Sequence, residues 1–277
     1  MRKRVYILIA AMLLAAFALG IWEARRHMGP VYLGKALSQW LEEVPDDWGH
    51  PVTGRLDPEE RPAAAKAVRA MGTNALPELI RMMEARDWPP KQRLLWLASS
   101  PWLIDITHTT PRERQKVQAL FGFCALGTNA NPAVPALMDF LLRQGEYHTA
   151  AALAYMSPEG VLSLSQALTN RDIDLTSNVP DLRFRILCVL DELVWVAHQA
   201  DTAPGRRARL ELHARLAAPS LLQCVNDPIE GIRIRAAALD LSALGPAVAS
   251  AVPPLVKASQ DQETSVPKSI TNVLQKR

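Results

Sequence analysis

Apolar residues recur along most of this chain at the spacing of an amphipathic helix. If residues 37–44 form a helix, one face of it carries Leu37, Trp40, Leu41 and Val44. A longer apolar stripe runs through residues 182–200, and its members are Ile186, Leu187, Leu190, Leu193, Val194 and Ala197. Breaks containing glycine or proline separate such stretches. The pattern predicts an all-α protein built from several helices.

Three segments share one order of features, and they cover residues 67–83, 119–142 and 236–258. Each begins with an Ala- and Leu-rich helix that ends at a glycine, which is Gly72, Gly127 or Gly245. Each continues with a second helix that starts near a proline, which is Pro77, Pro135 or Pro253. Glycine adopts the left-handed conformation that ends a helix, and proline in a first turn costs no hydrogen bond. The order predicts repeated helical hairpins.

A fourth, less regular hairpin is predicted in residues 149–168, with Ser157 as the N-cap and Pro158 at the first helical position. Near the C-terminus, three positions are echoed by residues of similar type 34 positions later, and the pairs are Asp227 and Asp261, Ile232 and Val266, Ala236 and Ile270. A period of this length is typical of stacked helical hairpins. A further hairpin is predicted around Pro219 in residues 210–225, and the repeats are interrupted at residues 101–111 and 170–181.

The N-terminus combines three basic residues with an uncharged run over residues 5–22. As a helix, the run would span ~27 Å, which is close to the hydrocarbon thickness of a bilayer. Tyr6 and Trp22 lie near its two ends, where interfacial aromatic residues belong. Residues 1–22 are therefore predicted to form a signal anchor, with the remaining chain on the outer side of the membrane. The alternative is secretion after cleavage near residues 16–18.

Composition excludes several classes of protein. Apolar residues make up 49% of the chain and aromatic residues only 6%, which indicates a core of small and branched aliphatic side chains. The net charge is +3, so no strong field attracts nucleic acid. The cysteines are Cys124, Cys188 and Cys224. They form no metal-binding motif, and we expect neither a metal nor a cofactor.

No catalytic motif is present in the sequence. None of the six histidines lies in an HExxH pattern, and there is no GxSxG, GxGxxG or Walker sequence. We therefore predict that the protein is not an enzyme. Basic residues cluster at residues 206–209 and at Arg183, Arg185, Arg233 and Arg235. These are interpreted as solvated helix faces and inter-repeat salt bridges, with a surface for an anionic partner as the alternative.

Residues 227–245, DPIEGIRIRAAALDLSALG, resemble the HEAT-repeat superfamily, including its PBS-lyase-like bacterial variants. The shared pattern is Asp, then Val-Arg, then Ala-Ala, then Leu-Gly. The resemblance implies that Asp227 caps the first helix of a repeat and that Arg233 bonds back toward a neighbouring aspartate. Pro267 stands where an arginine is expected, which suggests a degenerate terminal repeat. Residues 31–41 are also similar to a recurring start of exported bacterial HEAT-repeat proteins.

The resemblance implies a HEAT-like α-solenoid of stacked antiparallel helical hairpins over residues 58–277. A juxtamembrane linker with one short amphipathic helix, residues 23–57, would join it to the transmembrane helix. The implied function is a membrane-tethered scaffold that binds an unidentified protein. Second-helix residues would meet this partner, and the candidates are Glu78, Arg81, Met82, Asp139, Arg143 and Gln166. Two alternatives remain: a PBS-lyase-like or chromophore-handling enzyme, and a purely structural envelope protein.

Overall fold

The computed structural model describes residues 29–44, 58–85, 111–173, 181–197 and 204–237. The predicted transmembrane helix over residues 1–22 lies outside the described residues, as do Gly245 and Pro253. Within the described ranges, no helix combines the length and the apolar character needed to cross a membrane.

The described chain is mostly helical, as predicted. Its α-helices are α1 (Leu37–Leu41), α2 (Pro62–Met71), α3 (Leu76–Met83), α4 (Pro111–Leu126), α5 (Val134–Gln144), α6 (Tyr147–Met156), α7 (Pro158–Thr169), α8 (Leu182–Ala197), α9 (Pro204–Gln223) and α10 (Glu230–Ala237). Three 3₁₀ segments lie between helices, at Gly72–Ala75, Gly127–Ala133 and Cys224–Asn226. The apolar stripe predicted on α8 is buried at every predicted position.

A small β-hairpin precedes α1, and the predicted all-α fold did not include it. Strand β1 (Val31–Tyr32) pairs antiparallel with β2 (Lys35–Ala36). The turn residues Leu33 and Gly34 have φ of 49° and 77°. Two residues with positive φ give a two-residue hairpin turn the twist that suits its strands. Leucine is not the residue that marks such a turn in a sequence, so these residues were predicted to be linker.

Two helical hairpins join their helices in the same way. Gly72 and Gly127 each directly follow a helix, and their φ angles are 58° and 59°. Each glycine begins a Gly-Thr-Asn-Ala sequence in 3₁₀ conformation. Pro77 and Pro135 then lie in the first turns of α3 and α5. Glycine adopts positive φ without steric strain. Proline is tolerated in the first turn of a helix because an amide there has no hydrogen-bond partner within the helix. Local backbone chemistry therefore explains why the two connections are alike.

Alternate helices of the chain pack side by side. The first layer consists of α2, α4, α6, α8 and α10, and each of these helices contacts the next one in this series. In the second layer, α5 contacts α7, and α7 contacts α9. Helix α3 lies at the start of this second layer and packs on α4. The layers are joined mainly by three pairs, which are α3 with α4, α6 with α7 and α8 with α9.

Small residues allow the closest contact between the layers. Helix α6 is Ala-rich, and residues 149–156 are all buried. A Cβ atom at Gly160 of α7 would lie only 2.2 Å from the carbonyl oxygen of Leu153. Ser157 caps α7 by accepting the Gly160 amide at 3.3 Å, and Pro158 occupies the first turn, as predicted. The chain can therefore fold α7 directly back onto α6.

Residues 210–225 do not form the predicted hairpin around Pro219. Helix α9 runs without a break from Pro204 to Gln223, and Pro219 lies inside it. Proline removes one helical hydrogen bond, to the carbonyl of the residue four positions earlier, Arg215. Both Arg215 and Pro219 are exposed, so water can solvate that carbonyl. The prediction was wrong because a proline on the solvent side of a long helix need not end it.

We predict that Gly160→Ala destabilises the protein by about 2 kcal/mol, because the new methyl group meets a backbone carbonyl that cannot rotate away. Gly231→Ala is the matched control, since nothing lies within 4 Å of a Cβ at this position in α10. We expect the control to stabilise by about 0.5 kcal/mol. Chemical denaturation of the full chain, followed by circular dichroism, measures both. Equal effects of the two substitutions would contradict the close contact.

Candidate functional site

Each helix of the second layer exposes one narrow stripe, and we call these stripes together the second-layer face. On α9 the exposed residues follow a helical period, and they are Gly205, Ala208, Leu212, Arg215, Pro219 and Gln223. On α7 they are Glu159, Leu162 and Gln166, and on α5 they are Pro135, Ala136, Asp139, Arg143 and Gln144. On α3 they are Pro77, Arg81 and Glu84. Because α5, α7 and α9 pack in sequence, their stripes form one surface.

The structure places five of the six predicted contact residues at or beside this face. Arg81 is exposed, and its Nε donates to Glu78 Oε2 at 2.8 Å. This hydrogen bond raises the pKa of Arg81 and holds its guanidinium in place over a carboxylate that is largely covered. On α5, Arg143 donates to Asp139 at 2.6 Å, and both side chains are exposed. Gln166 is exposed on α7.

Met82 does not belong to this set. Met82 is only 4% exposed and forms part of the hydrophobic core. Successive helical residues differ by about 100° around the axis, so the position next to exposed Arg81 turns inward. Met82 was predicted from its place on a second helix, without the register that decides which face it occupies. Met82 therefore cannot contact a partner on this face.

Two exposed leucines on the second-layer face were missed from the sequence. Leu162 of α7 is 45% exposed, and Leu212 of α9 is 50% exposed. Leucines are usually assigned to a core, and these two were not distinguished from buried ones. The sequence did contain a signal that these leucines are exposed. Leu162 lies four residues before Gln166, and Leu212 lies three residues before Arg215. These spacings place each leucine on the same helix face as a polar residue. In the first layer, α8 also exposes Phe184 and Trp195.

A buried ion pair connects α8 with the segment before α10. Arg183 binds the carboxylate of Asp227 through both terminal nitrogens, and the two side chains are 2% and 4% exposed. Arg183 Nε also donates to the carbonyl of Leu168, at the end of α7, at 2.7 Å. Burial raises the pKa of Asp227, but hydrogen bonds from Arg183 and from the Ile229 amide outweigh it and leave the pKa lowered. One arginine therefore connects the end of α7, helix α8 and the segment before α10.

Arg233 bonds back toward Asp227, as the resemblance implies, but it contacts the backbone carbonyl of Asp227 and not its carboxylate. Its Nη1 donates to the backbone carbonyls of Asp227 and Pro228, at 2.9 and 3.3 Å. The Asp227 carboxylate instead accepts the amide of Ile229 at 3.0 Å, directly before α10. Arg183 was noted in the sequence only as one of several basic residues. Its role depends on a contact 44 positions away, which no local pattern reveals.

A second charged cluster joins the starts of α4 and α6. The fully buried Lys116 places Nζ 2.6 Å from Glu146 Oε1, and Arg112 lies 2.5 Å from the same oxygen. Glu113 Oε2 lies 3.6 Å from His148 Nδ1. Burial lowers the pKa of His148, although the Glu113 carboxylate opposes this effect. The charges of the cluster compensate one another, which indicates that they join the two helices.

Buried titratable groups around α6 are also used in packing. Tyr147 donates to a carboxylate oxygen of Glu192 on α8, and burial together with this bond raises its pKa. His213 of α9 contacts the carbonyl of Ala154 through Nδ1 at 3.0 Å. Burial lowers the pKa of His213 to about 4, so the ring is neutral at pH 7 and Nδ1 donates. These bonds attach α8 and α9 to α6.

Among the described residues, no group of His, Cys, Asp and Glu side chains is arranged to hold a metal ion. Cys224 is a buried thiol, and Cys124 and Cys188 are half-buried. No family model matches the sequence, and neither the curated proteins nor the solved structures contain a significant match.

We predict that Asp227→Asn destabilises the protein by about 3 kcal/mol, because it leaves the buried Arg183 guanidinium without its counter-charge. Asp139→Asn breaks an exposed ion pair with Arg143 and is the matched control, with an expected cost below about 1 kcal/mol. Urea denaturation of the two variants and the parent protein measures the difference. A loss for Asp227→Asn as small as that for Asp139→Asn would show that the buried ion pair does not hold α8 to the segment before α10.

A pH dependence follows from His213. Its ordinary pKa is near 6.5, and folding lowers it to about 4. Between pH 6.5 and pH 4, the unfolded chain therefore binds a proton at His213 that the folded chain does not. The contribution of neutral His213 to the free energy of unfolding is complete above pH 6.5 and is lost as the pH falls toward 4. This contribution is on the order of 3 kcal/mol. We expect His213→Gln to flatten the fall in unfolding free energy between pH 7 and pH 4, and an unchanged slope would contradict this role.

Proposed function

We propose that this protein is a membrane-tethered, non-catalytic scaffold in which a HEAT-like α-solenoid binds a protein partner through the second-layer face. The observation that supports it most is the arrangement of helices in two layers, with alternate helices of the chain in each layer. Successive antiparallel hairpins produce this order when they stack in one direction.

Three further features support a solenoid. The two Gly-Thr-Asn-Ala connections repeat the same turn between a first and a second helix. Arg183 links the end of one hairpin to the next helix and to Asp227, as an inter-repeat contact does. The 34-residue spacing beyond Asp227 matches the length of one helical hairpin with its loops.

The chemistry of the second-layer face suits a protein partner. Leu162 and Leu212 offer apolar side chains, while Arg143 and Arg215 supply charges around them. Apolar anchors surrounded by polar residues and arginine are typical of protein interfaces. The enzyme alternative has less support, because the buried Arg183 and His213 already bond to structural partners.

The tether rests on the sequence of residues 1–22, with its basic start and its uncharged run. Alkaline carbonate extraction tests it on the full chain in native membranes. We expect the protein to remain in the membrane pellet and N-terminal sequencing to find the initial residues intact. Release into the supernatant, or a new N-terminus near residue 18, would support a cleaved leader instead.

Partner binding is tested by placing the photo-crosslinking amino acid p-benzoylphenylalanine at Gln166 in the full chain within native membranes. We expect one protein adduct of discrete mass. The control is the same amino acid at Lys66, which is exposed on α2 in the first layer. Leu162→Asp, which replaces an exposed side chain next to the probe, should weaken the adduct by about tenfold or more.

Two outcomes of this experiment count against the proposal. Adducts at Lys66 as abundant as those at Gln166 would indicate contacts without a preferred face, as for a purely structural envelope protein. A Gln166 adduct that Leu162→Asp leaves unchanged would show that the exposed leucine does not contribute to binding.

A further inference from the structure

The β1–β2 hairpin carries apolar side chains that the protein itself does not bury. Leu33 is 78% exposed, and Val31 is also exposed. Tyr32 lies between them and is turned toward Trp40, whose Nε1 donates to the Tyr32 carbonyl at 3.2 Å. The two aliphatic side chains, two residues apart, therefore remain free of the core.

Leu33 also occupies an unfavourable backbone conformation. Its φ of 49° belongs to the left-handed region, which glycine and asparagine adopt more easily than leucine. Neither packing nor backbone geometry explains a leucine here, since the side chain is exposed and the turn would be easier with another residue. Residues that are unfavourable for the fold are often retained for contacts outside it.

The hairpin is fixed to the helical body. The Leu37 amide donates to the Pro30 carbonyl at 2.9 Å, and the Ala36 amide donates to Gln39 Oε1 at 3.0 Å. β1 also contacts α2. Because these contacts hold both strands, the tip presents Leu33 in a defined direction.

The sequence around the hairpin indicates what the tip meets. The predicted membrane helix ends at residue 22, so eight residues separate it from Val31, and an extended chain of that length spans at most ~30 Å. Arg25 and Arg26 lie in this connection. Lys35 follows the tip and lies 4.7 Å from the Trp40 ring centre. Aliphatic, aromatic and basic side chains together are typical of segments at the membrane interface.

We propose that the hairpin tip, Val31 and Leu33, inserts into the headgroup region of the bilayer that carries the N-terminal helix, while Lys35 remains beside the tip in its ion pair with Glu43. This rests on the proposed membrane tether. The helical body is then held at the membrane at two points, the anchor and the hairpin. Two points of attachment restrict the orientation of the helical body more than one does.

The test uses the full chain in nanodiscs of phosphatidylcholine and phosphatidylglycerol. With p-benzoylphenylalanine in place of Leu33, irradiation should give lipid adducts, detected by mass spectrometry, at least about fivefold more abundant than with the same probe at Leu162. Leu162 is the matched control because it is also an exposed leucine, on the second-layer face. Equal lipid adducts at both positions, or a protein adduct at Leu33 in place of lipid, overturn the proposal.

A second variant separates this contact from folding and from the anchor. Leu33→Asn suits the left-handed turn better, so the melting temperature should stay the same or rise. With the probe at Val31, the same variant should lose most of its lipid adducts. Alkaline extraction distinguishes a failure of the hairpin contact from a failure of the membrane tether. A chain that stays in the membrane but gives no lipid adduct at Leu33 overturns the hairpin contact alone, and a chain that is released overturns the tether itself.

Discussion

The close contact between α6 and α7 sets the distance between the two layers at the centre of the described helices. Helix α6 lies among α4, α5, α7 and α8, and its alanines bring these neighbours near its backbone. At Gly160 the approach leaves no space for a single methyl group. Larger side chains at these positions would separate the layers and expose the apolar stripe of α8. The small residues therefore determine both the distance between the layers and the depth of the core.

This packing also limits where the protein can meet other molecules. The helices at the centre of the stack are covered by neighbours on most sides, so each second-layer helix keeps only one open stripe. Leu162, Arg143 and Arg215 lie on rigid helices and not on loops, and neighbouring helices fix the spacing between them. A partner that recognises this face would meet preformed positions, which reduces the ordering cost of binding. The architecture and the proposed function are linked in this way.

The sequence predicted the features that depend on nearby residues. Helical periodicity identified α8 and the face of α1, and Ser157 with Pro158 identified the start of α7, because these signals act within one or two turns. It failed where register or distant contacts decide the outcome. Met82 was predicted to be exposed on α3, but it is buried. Pro219 was predicted to end a helix, but α9 continues through it.

The candidate site shows the same division. The partner-contact residues were predicted on second helices, and Arg81, Asp139, Arg143 and Gln166 are exposed there. The exposed Leu162 and Leu212 were missed, because the spacing that puts each of them on one helix face with a polar residue was not used to distinguish them from core leucines. Arg183 was noted without its role, because its partner Asp227 is brought near only by the stacking of whole hairpins. Long-range pairing is a property of the fold and not of any window of sequence.

The hairpin and the helical layers together imply a direction for the molecule. β1 contacts α2, and α2 begins the series of first-layer contacts that continues through α4, α6 and α8 to α10. A membrane contact at the hairpin therefore lies at one end of the stack. Each further hairpin then adds one more exposed stripe beyond that end. In the proposed arrangement, the second-layer face begins beside the bilayer and continues along the stack, so the orientation of the hairpin determines which part of the face a partner at the membrane can reach.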